Sequence, residues 1–256
     1  MIVEFIGSTG AGKTTLIKQV LTVCAQEGIE ALVGTEFVLK QSGLNGLKSQ
    51  RMRAVAVNLL ALLAALGAWR KNRAYYRFVL QSIWKLPAAV PWLERLLLAK
   101  NILKRIGIYA IIRRHDAKEQ LHLVDEGTLH VAHSLFVHLA GKANHQDLAR
   151  FAGLVPLPHV VVYLRQEEAV LIERILARGH PRVPDHSLAA AAYFVQQAVA
   201  VFDELVHDPL IKNRVVVVDG AQQRVTAPGY GDDPSPASVA RLVQAGLCVS
   251  AATVCS

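Results

Sequence analysis

Apolar residues follow two rhythms along this chain, and their alternation predicts its architecture. Mostly apolar, β-branched runs of strand length occur at residues 2–6, 29–33, 121–125, 158–164 and 214–219. Between them lie segments with helical spacing. One begins at Thr15 and carries Leu16, Ile17, Val20 and Leu21; another, 167–178, carries Leu171, Ile172, Ile175 and Leu176. Residues 187–207 and 236–247 read as two further helices. Strands alternating with helices predict an α/β domain with a parallel sheet. Residues 45–118 break the rhythm, because they read as helix throughout. Their longest apolar run, 54–69, is interrupted by Asn58 and Gly67. It falls short of the roughly 20 residues of a membrane span, which predicts a buried core helix. Arg70, Arg73 and Arg77 then recur opposite an apolar stripe of Tyr76, Val79, Leu80, Ile83 and Trp84, an amphipathic helix with a basic face. Pro87 and Pro91 end it, and 93–106 gives another, with Arg95, Lys100, Lys104 and Arg105.

The connection between the first strand and first helix carries the clearest chemistry. Gly7-Ser8-Thr9-Gly10-Ala11-Gly12-Lys13-Thr14 has the spacing G-x-x-x-x-G-K-T of a phosphate-binding loop. Its glycines let the backbone take positive φ, and successive N–H groups then point inward as an anion nest at a helix N-terminus. Lys13 would reach the β- and γ-phosphates of a nucleotide, the Thr14 hydroxyl would ligate Mg²⁺, and Thr15 follows on the same turn. Asp125-Glu126-Gly127 closes the third strand, where a magnesium-organising acid belongs. Gly34-Thr35-Glu36 ends the second strand on the edge where open α/β sheets bind ligands, making Glu36 a candidate site carboxylate. Arg174 and Arg178 stand at i, i+4, where like charges repel unless an anion lies between them, and a basic loop, Gly179-His180-Pro181-Arg182, follows. His130 and His133 are one turn apart; without a third ligand at helical spacing they read as surface or phosphate-facing histidines rather than a metal site.

Composition sharpens the picture in two places. The net charge of +8 is uneven: residues 48–118 hold 15 Lys and Arg against only Glu94 and Asp116, a local +13. That block implies an anionic small-molecule or lipid-linked acceptor, or an anionic membrane surface. Few aromatics interleave with it, so base stacking is poorly provided for and nucleic acid is not expected. Cys24, Cys248 and Cys255 form no paired or zinc-binding framework, which suits a reducing compartment. With the first strand starting at residue 2 and no leader pattern, the expected location is the cytoplasm, peripheral at the inner membrane surface if the basic block binds lipid.

In this order the parts resemble the thymidylate kinase branch of the nucleoside-monophosphate kinases: a phosphate loop, a helical segment, Asp125-Glu126-Gly127, an Arg174-x-x-x-Arg178-Gly179 lid, and Val216-Val217-Val218-Asp219-Gly220. The resemblance covers about residues 1–36 and 121–247. It implies the three-layer fold of P-loop NTPases, with a five-stranded parallel sheet ordered 2-3-1-4-5. A single domain, 1–256, would carry a helical insertion at 45–118 and a lid at 178–186. It further implies ATP and Mg²⁺ as cofactors and Arg174, Arg178 and Arg182 as phosphate clamps. Asp219, Gly220 and Ala221 would lie near the adenine, and a homodimer is compatible. The sequence departs from that branch where it binds its acceptor. Thr9 and Ile6 stand where acids are usual, and Glu126-Gly127 replaces the Arg and aromatic of an Asp-Arg-aromatic motif. The implied activity is ATP-dependent phosphoryl transfer to an acceptor other than thymidylate, a nucleotide, sugar or lipid-linked group, near Glu36, Arg70, Arg73 and Arg77. The competing expectation is a regulatory ATPase or switch with no small acceptor, held to a membrane by its basic insertion.

Overall fold

The computed structural model describes residues 1–88, 90–115, 120–138, 143–183, 187–222, 224–227 and 238–246. The tail from 247, residues 184–186 of the expected lid, and residues 116–119, which take in the end of the expected insertion, lie outside them. Strand β1 (Ile2–Ile6) is buried along its whole length, as a central strand covered on both faces must be. It pairs in parallel with β3 (Leu121–Asp125) on one side and β4 (Val160–Arg165) on the other. β2 (Ala31–Val33) lies outside β3, and β5 (Val215–Asp219) outside β4. The chain thus leaves β1 toward β2 in one half of the sheet and leaves β3 toward β4 in the other, which leaves a crevice at the carboxyl ends of β1 and β3.

The sheet differs from expectation in its outer strand. It is mixed and six-stranded, ordered β2-β3-β1-β4-β5-β6, not five-stranded and all parallel. β6 (Arg224–Thr226) runs antiparallel to β5. The reason is local: the Asp219 carboxylate accepts from the amides of Ala221 and Gln222 and reverses the chain immediately after β5. β2 is also shorter than its apolar run, and helix α2 (Gly34–Gln41) starts directly after it.

Helix α1 (Lys13–Gln26) packs beside β1, with Leu16, Ile17 and Val20 buried. Beyond α2, the insertion comprises α3 (Gln50–Gly67), α4 (Arg73–Trp84) and α5 (Trp92–Arg114). After β3 come α6 (Val131–Phe136) and α7 (His145–Leu154), then α8 (Glu168–Arg178) and α9 (Leu188–His207) around β4. Ser187 caps α9 by accepting from the Ala190 amide. Residues 238–246 form a further helical stretch, with Val239 and Val243 buried.

The insertion is built into the domain. Phe37 and Val38 of α2 form a core with Val57, Ala61, Ile108 and Ile112. On α4, Tyr75 and Phe78 meet Phe151 of α7, ring centroids 5.9 and 6.3 Å apart. Arg95 ties the α4–α5 connection by donating to the carbonyls of Ile83, Trp84, Leu86, Pro87 and Val90. α3 corrects the reading of 54–69 as a buried core helix, since only 17% of its residues are buried. Gly107 admits the α3 backbone so closely that a Cβ there would stand 1.8 Å from the Ala61 carbonyl oxygen. The side of α3 with small residues therefore packs, and its large side chains point away. Among the described residues, α3 and α9 are the helices long and apolar enough to cross a membrane.

Candidate functional site

The loop between β1 and α1 is shaped by glycines with positive φ. Gly7 has φ 143°, and a Cβ there would lie 2.6 Å from the Leu164 carbonyl oxygen of β4, so only glycine fits. Gly12, at φ 101°, is the N-cap of α1, and no side chain caps that end. The free amides of the first turn therefore open into the loop. Lys13 opens α1 and folds back over it, donating from Nζ to the carbonyls of Gly7 (2.9 Å) and Ser8 (3.2 Å). Burial lowers its pKa, and the nearby carboxylates of Glu126 and Asp125 partly restore it.

Parallel register delivers Asp125 beside Phe5, just short of the loop. Thr14 Oγ1 donates to Asp125 Oδ2 at 2.9 Å. Burial raises the Asp125 pKa, opposed by the Thr14 bond and the Lys13 charge. Asp125 Oδ1 is buried without a hydrogen-bond partner. A hydroxyl, a carboxylate with an unsatisfied oxygen and room for anionic oxygens form a donor set that fits magnesium, which keeps several waters and takes few protein ligands. Among the described residues, no three His, Cys, Asp or Glu side chains cluster as a metal cage.

Glu126 sits at φ 58°, in the left-handed region that a side chain rarely occupies. The turn aims its carboxylate at Arg105, which donates to Glu126 Oε2 at 2.7 Å and to Ser134 Oγ at 2.9 Å. Burial pushes the Glu126 pKa up, but the Arg105 and Lys13 charges outweigh it, and the net shift is downward. Arg105 comes from α5, so the insertion contributes a charged group to the site. Sequence reasoning placed it on a basic face without assigning it here.

Beneath this turn lies Glu4. The His130 amide donates to its Oε1 at 2.9 Å, and Thr128 Oγ1 lies 3.3 Å from Oε2 while donating to the Pro156 carbonyl at 2.6 Å. Burial raises the Glu4 pKa to about 7, against hydrogen bonds that lower it. Gly127 is required above it, because a Cβ would stand 2.7 Å from the Glu4 carboxyl. His130 and His133 are buried rather than on the surface. They stack 5.1 Å apart against Phe202, and burial drives both pKa values well below the usual histidine range, leaving them neutral.

Two cavities flank the loop. One, about 220 Å³, is lined by Thr9, Gly10, Gly12, Lys13, Thr14, Thr15, Asp125, Glu126 and Arg178. The other, about 340 Å³, is lined by Gly10, Ala11, Gly12, Thr15, Gln19, Gln166, Arg174, Arg178 and Gly220, among others. Arg178, the last residue of α8, borders both. Arg174 instead braces the loop, donating to the Gly10 carbonyl at 2.7 Å. Arg182 is tied away, donating to the Val137 carbonyl at 3.0 Å and lying 3.6 Å from Glu94. Asp219 is engaged in its own turn, and neither it nor Ala221 lines these cavities. Glu36 pairs with Arg53, and Arg70, Arg73 and Arg77 are exposed; none of these lines either cavity. A third cavity, about 190 Å³, opens between α4 and α6–α7, lined by Phe78, Lys85, Phe136, His138, Asn144 and Arg150 among others.

Lys13, Arg174 and Arg178 border a concavity of backbone amides beside the half-buried Asp125 and Glu126 carboxylates, the second of them held by Arg105. That arrangement suits a polyanion with a divalent cation. Compared with models of known protein families and with curated protein sequences, the chain matches none.

Proposed function

We propose that the chain is an ATP-dependent phosphotransferase of the P-loop type, similar in plan to thymidylate kinases, that moves the γ-phosphoryl group of Mg·ATP to an anionic small or lipid-linked acceptor. The observation that carries this reading is the loop itself: glycines with positive φ, Lys13 folded over them, and Thr14 bonded to Asp125. Triphosphate oxygens would accept from the loop amides, with Lys13 turning from the Gly7 and Ser8 carbonyls to the β- and γ-phosphates. The Thr14 hydroxyl and Asp125, the latter through water, would hold Mg²⁺, whose charge offsets that of the phosphates. The larger cavity beyond Thr15, reaching Gln166 and Gly220, would take the nucleoside.

In the transfer, an acceptor oxygen bonds to the γ-phosphorus as the bond to the β–γ bridging oxygen breaks, and ADP leaves. Arg178 borders both cavities and would meet the charge that develops on the moving group. Glu126 is held ionised by Arg105, which makes it a weak base for a hydroxyl. An acceptor phosphate needs no base, and Arg105, which donates to Glu126 and Ser134, would turn to receive one. The third cavity, beside the segment that Arg182 contacts, would house the rest of the acceptor.

The test is ADP release from Mg·ATP by purified protein, with and without a panel of phosphate and hydroxyl acceptors. Stimulation by phosphomonoesters is expected. Turnover indifferent to every acceptor would replace this reading with that of an ATPase switch.

A further inference from the structure

The outward face of α3 inverts the usual pattern of a helix on a protein surface. Its small residues Ala61 and Ala65, with Val57, are buried, whereas Met52, Val55, Leu59, Leu63 and Leu66 are 56–65% exposed. At 100° per residue these five side chains fall within an arc of about 80°, a stripe roughly 21 Å long. A helix of a soluble domain places such a stripe toward the core. Here the opposite side is committed: Ala61 lies against Gly107, and the Ala65 carbonyl accepts from Tyr76 Oη at 2.7 Å.

Basic residues dominate the surroundings of the stripe; the acid at its N-terminal end, Glu36, is paired with Arg53 of α3. From Phe37 to Leu93 the sequence holds nine Lys and Arg and no Asp or Glu. Lys48 and Arg51 lie at the N-terminal end of α3, and Arg70, Lys71 and Arg73 just beyond its C-terminal end, all exposed. The chain's three tryptophans, Trp69, Trp84 and Trp92, fall in the same segment and are 40%, 86% and 71% exposed. Indole rings with one wet and one apolar edge favour the headgroup level of a bilayer.

We infer that α3 is a docking face for the surface of an anionic lipid bilayer. The helix lies in the interface plane, its five large apolar side chains among the acyl chains and its basic ends on headgroup phosphates. A second copy of the chain fits this face poorly, because pairing two such stripes brings basic ends against basic ends. Crossing the bilayer would strip α3 from α5 and from Tyr76. The inference does not depend on the nucleotide reading, and its test involves no turnover.

The experiment is vesicle flotation of the full chain with phosphatidylcholine alone or mixed with phosphatidylglycerol, alongside tryptophan emission and sedimentation. The parent should float with the anionic vesicles and not the neutral ones, its emission should shift to the blue, and added salt should release it. Leu59→Ser with Leu63→Ser alters exposed positions and should keep the circular dichroism spectrum while weakening partitioning about tenfold or more. Replacing Lys48, Arg51, Arg70, Lys71 and Arg73 with Gln should lower anionic binding about fivefold per charge removed. A monomeric parent that floats with neither vesicle overturns the inference, as does a leucine variant that floats like the parent. A dimer that falls apart in the leucine variant, with no lipid binding, would show that a second copy covers the stripe.

Discussion

Glu4 offers a measurement whose size and sign both follow from its surroundings. Its carboxyl is buried in β1, with its pKa raised from 4.5 to about 7. Thr128 has one hydroxyl proton and spends it on the Pro156 carbonyl, so its oxygen is open to a proton from Glu4, as a neutral carboxyl supplies. Between about pH 4.5 and 7 the folded chain therefore holds a proton that the unfolded chain has released. Stability from this group is fully present below that window, falls as pH rises through it, and is flat above. At about 1.36 kcal/mol for each tenfold change in proton affinity, the ionised group costs the fold about 3 kcal/mol at alkaline pH. Glu4→Gln keeps the shape, accepts from the His130 amide and donates toward Thr128, but never ionises. Denaturant unfolding of parent and variant at several pH values isolates the effect, because every other titration is common to both. The two should match at pH 4.5, and the variant should gain with pH to about 3 kcal/mol at pH 8. A difference that stays constant with pH, or shrinks as pH rises, refutes the argument.

Arg178→Ala should lower kcat by about 10³ or more with little change in nucleotide affinity, because the group meets charge that develops only during transfer; unchanged kcat returns Arg178 to an ordinary surface residue. Arg105→Ala should raise KM for a phosphate acceptor about tenfold or more and leave ATP affinity within about twofold, and Lys should rescue poorly, since two partners are held by one planar fork. Steady-state kinetics with varied acceptor decides this, and equal loss of both affinities would point to collapse of the turn instead. Gly107→Ala should destabilise by about 1–3 kcal/mol in thermal unfolding, because the added methyl meets a backbone oxygen that cannot rotate away; an unshifted Tm would mean that α3 and α5 have room to part.

Much of the sheet was legible because its central strands are mostly apolar, β-branched runs, and Ser187 and Gly179 mark helix ends by their own chemistry. The spacing of Lys13 and Thr14 from Gly7, with an acid at the end of β3, sufficed to place three side chains together. What stayed hidden depended on contacts distant in sequence. Periodicity finds the two faces of α3 but cannot say which packs, since that rests on Gly107 two helices later. Arg105 reads as one of several cations on a basic face until α5 is laid beside the Glu126 turn. β6 is only three residues long and exists because Asp219 folds the chain back, the same use that keeps Asp219 out of the cavity lined by Gln166 and Gly220. His130 and His133 carry no mark of burial, since the aromatic wall that encloses them comes from α9.

The central claim is that the loop from Gly7 to Thr14 binds the phosphates of Mg·ATP. Calorimetric titration of Mg·ATP into the parent chain and into Lys13→Ala tests it most directly. The parent should bind one nucleotide per chain, with magnesium required. The variant, folded by circular dichroism, should bind about tenfold or more weakly, because it loses charge-assisted bonds to the phosphates. A parent that binds no nucleotide, or a variant that binds as tightly as the parent, contradicts the account.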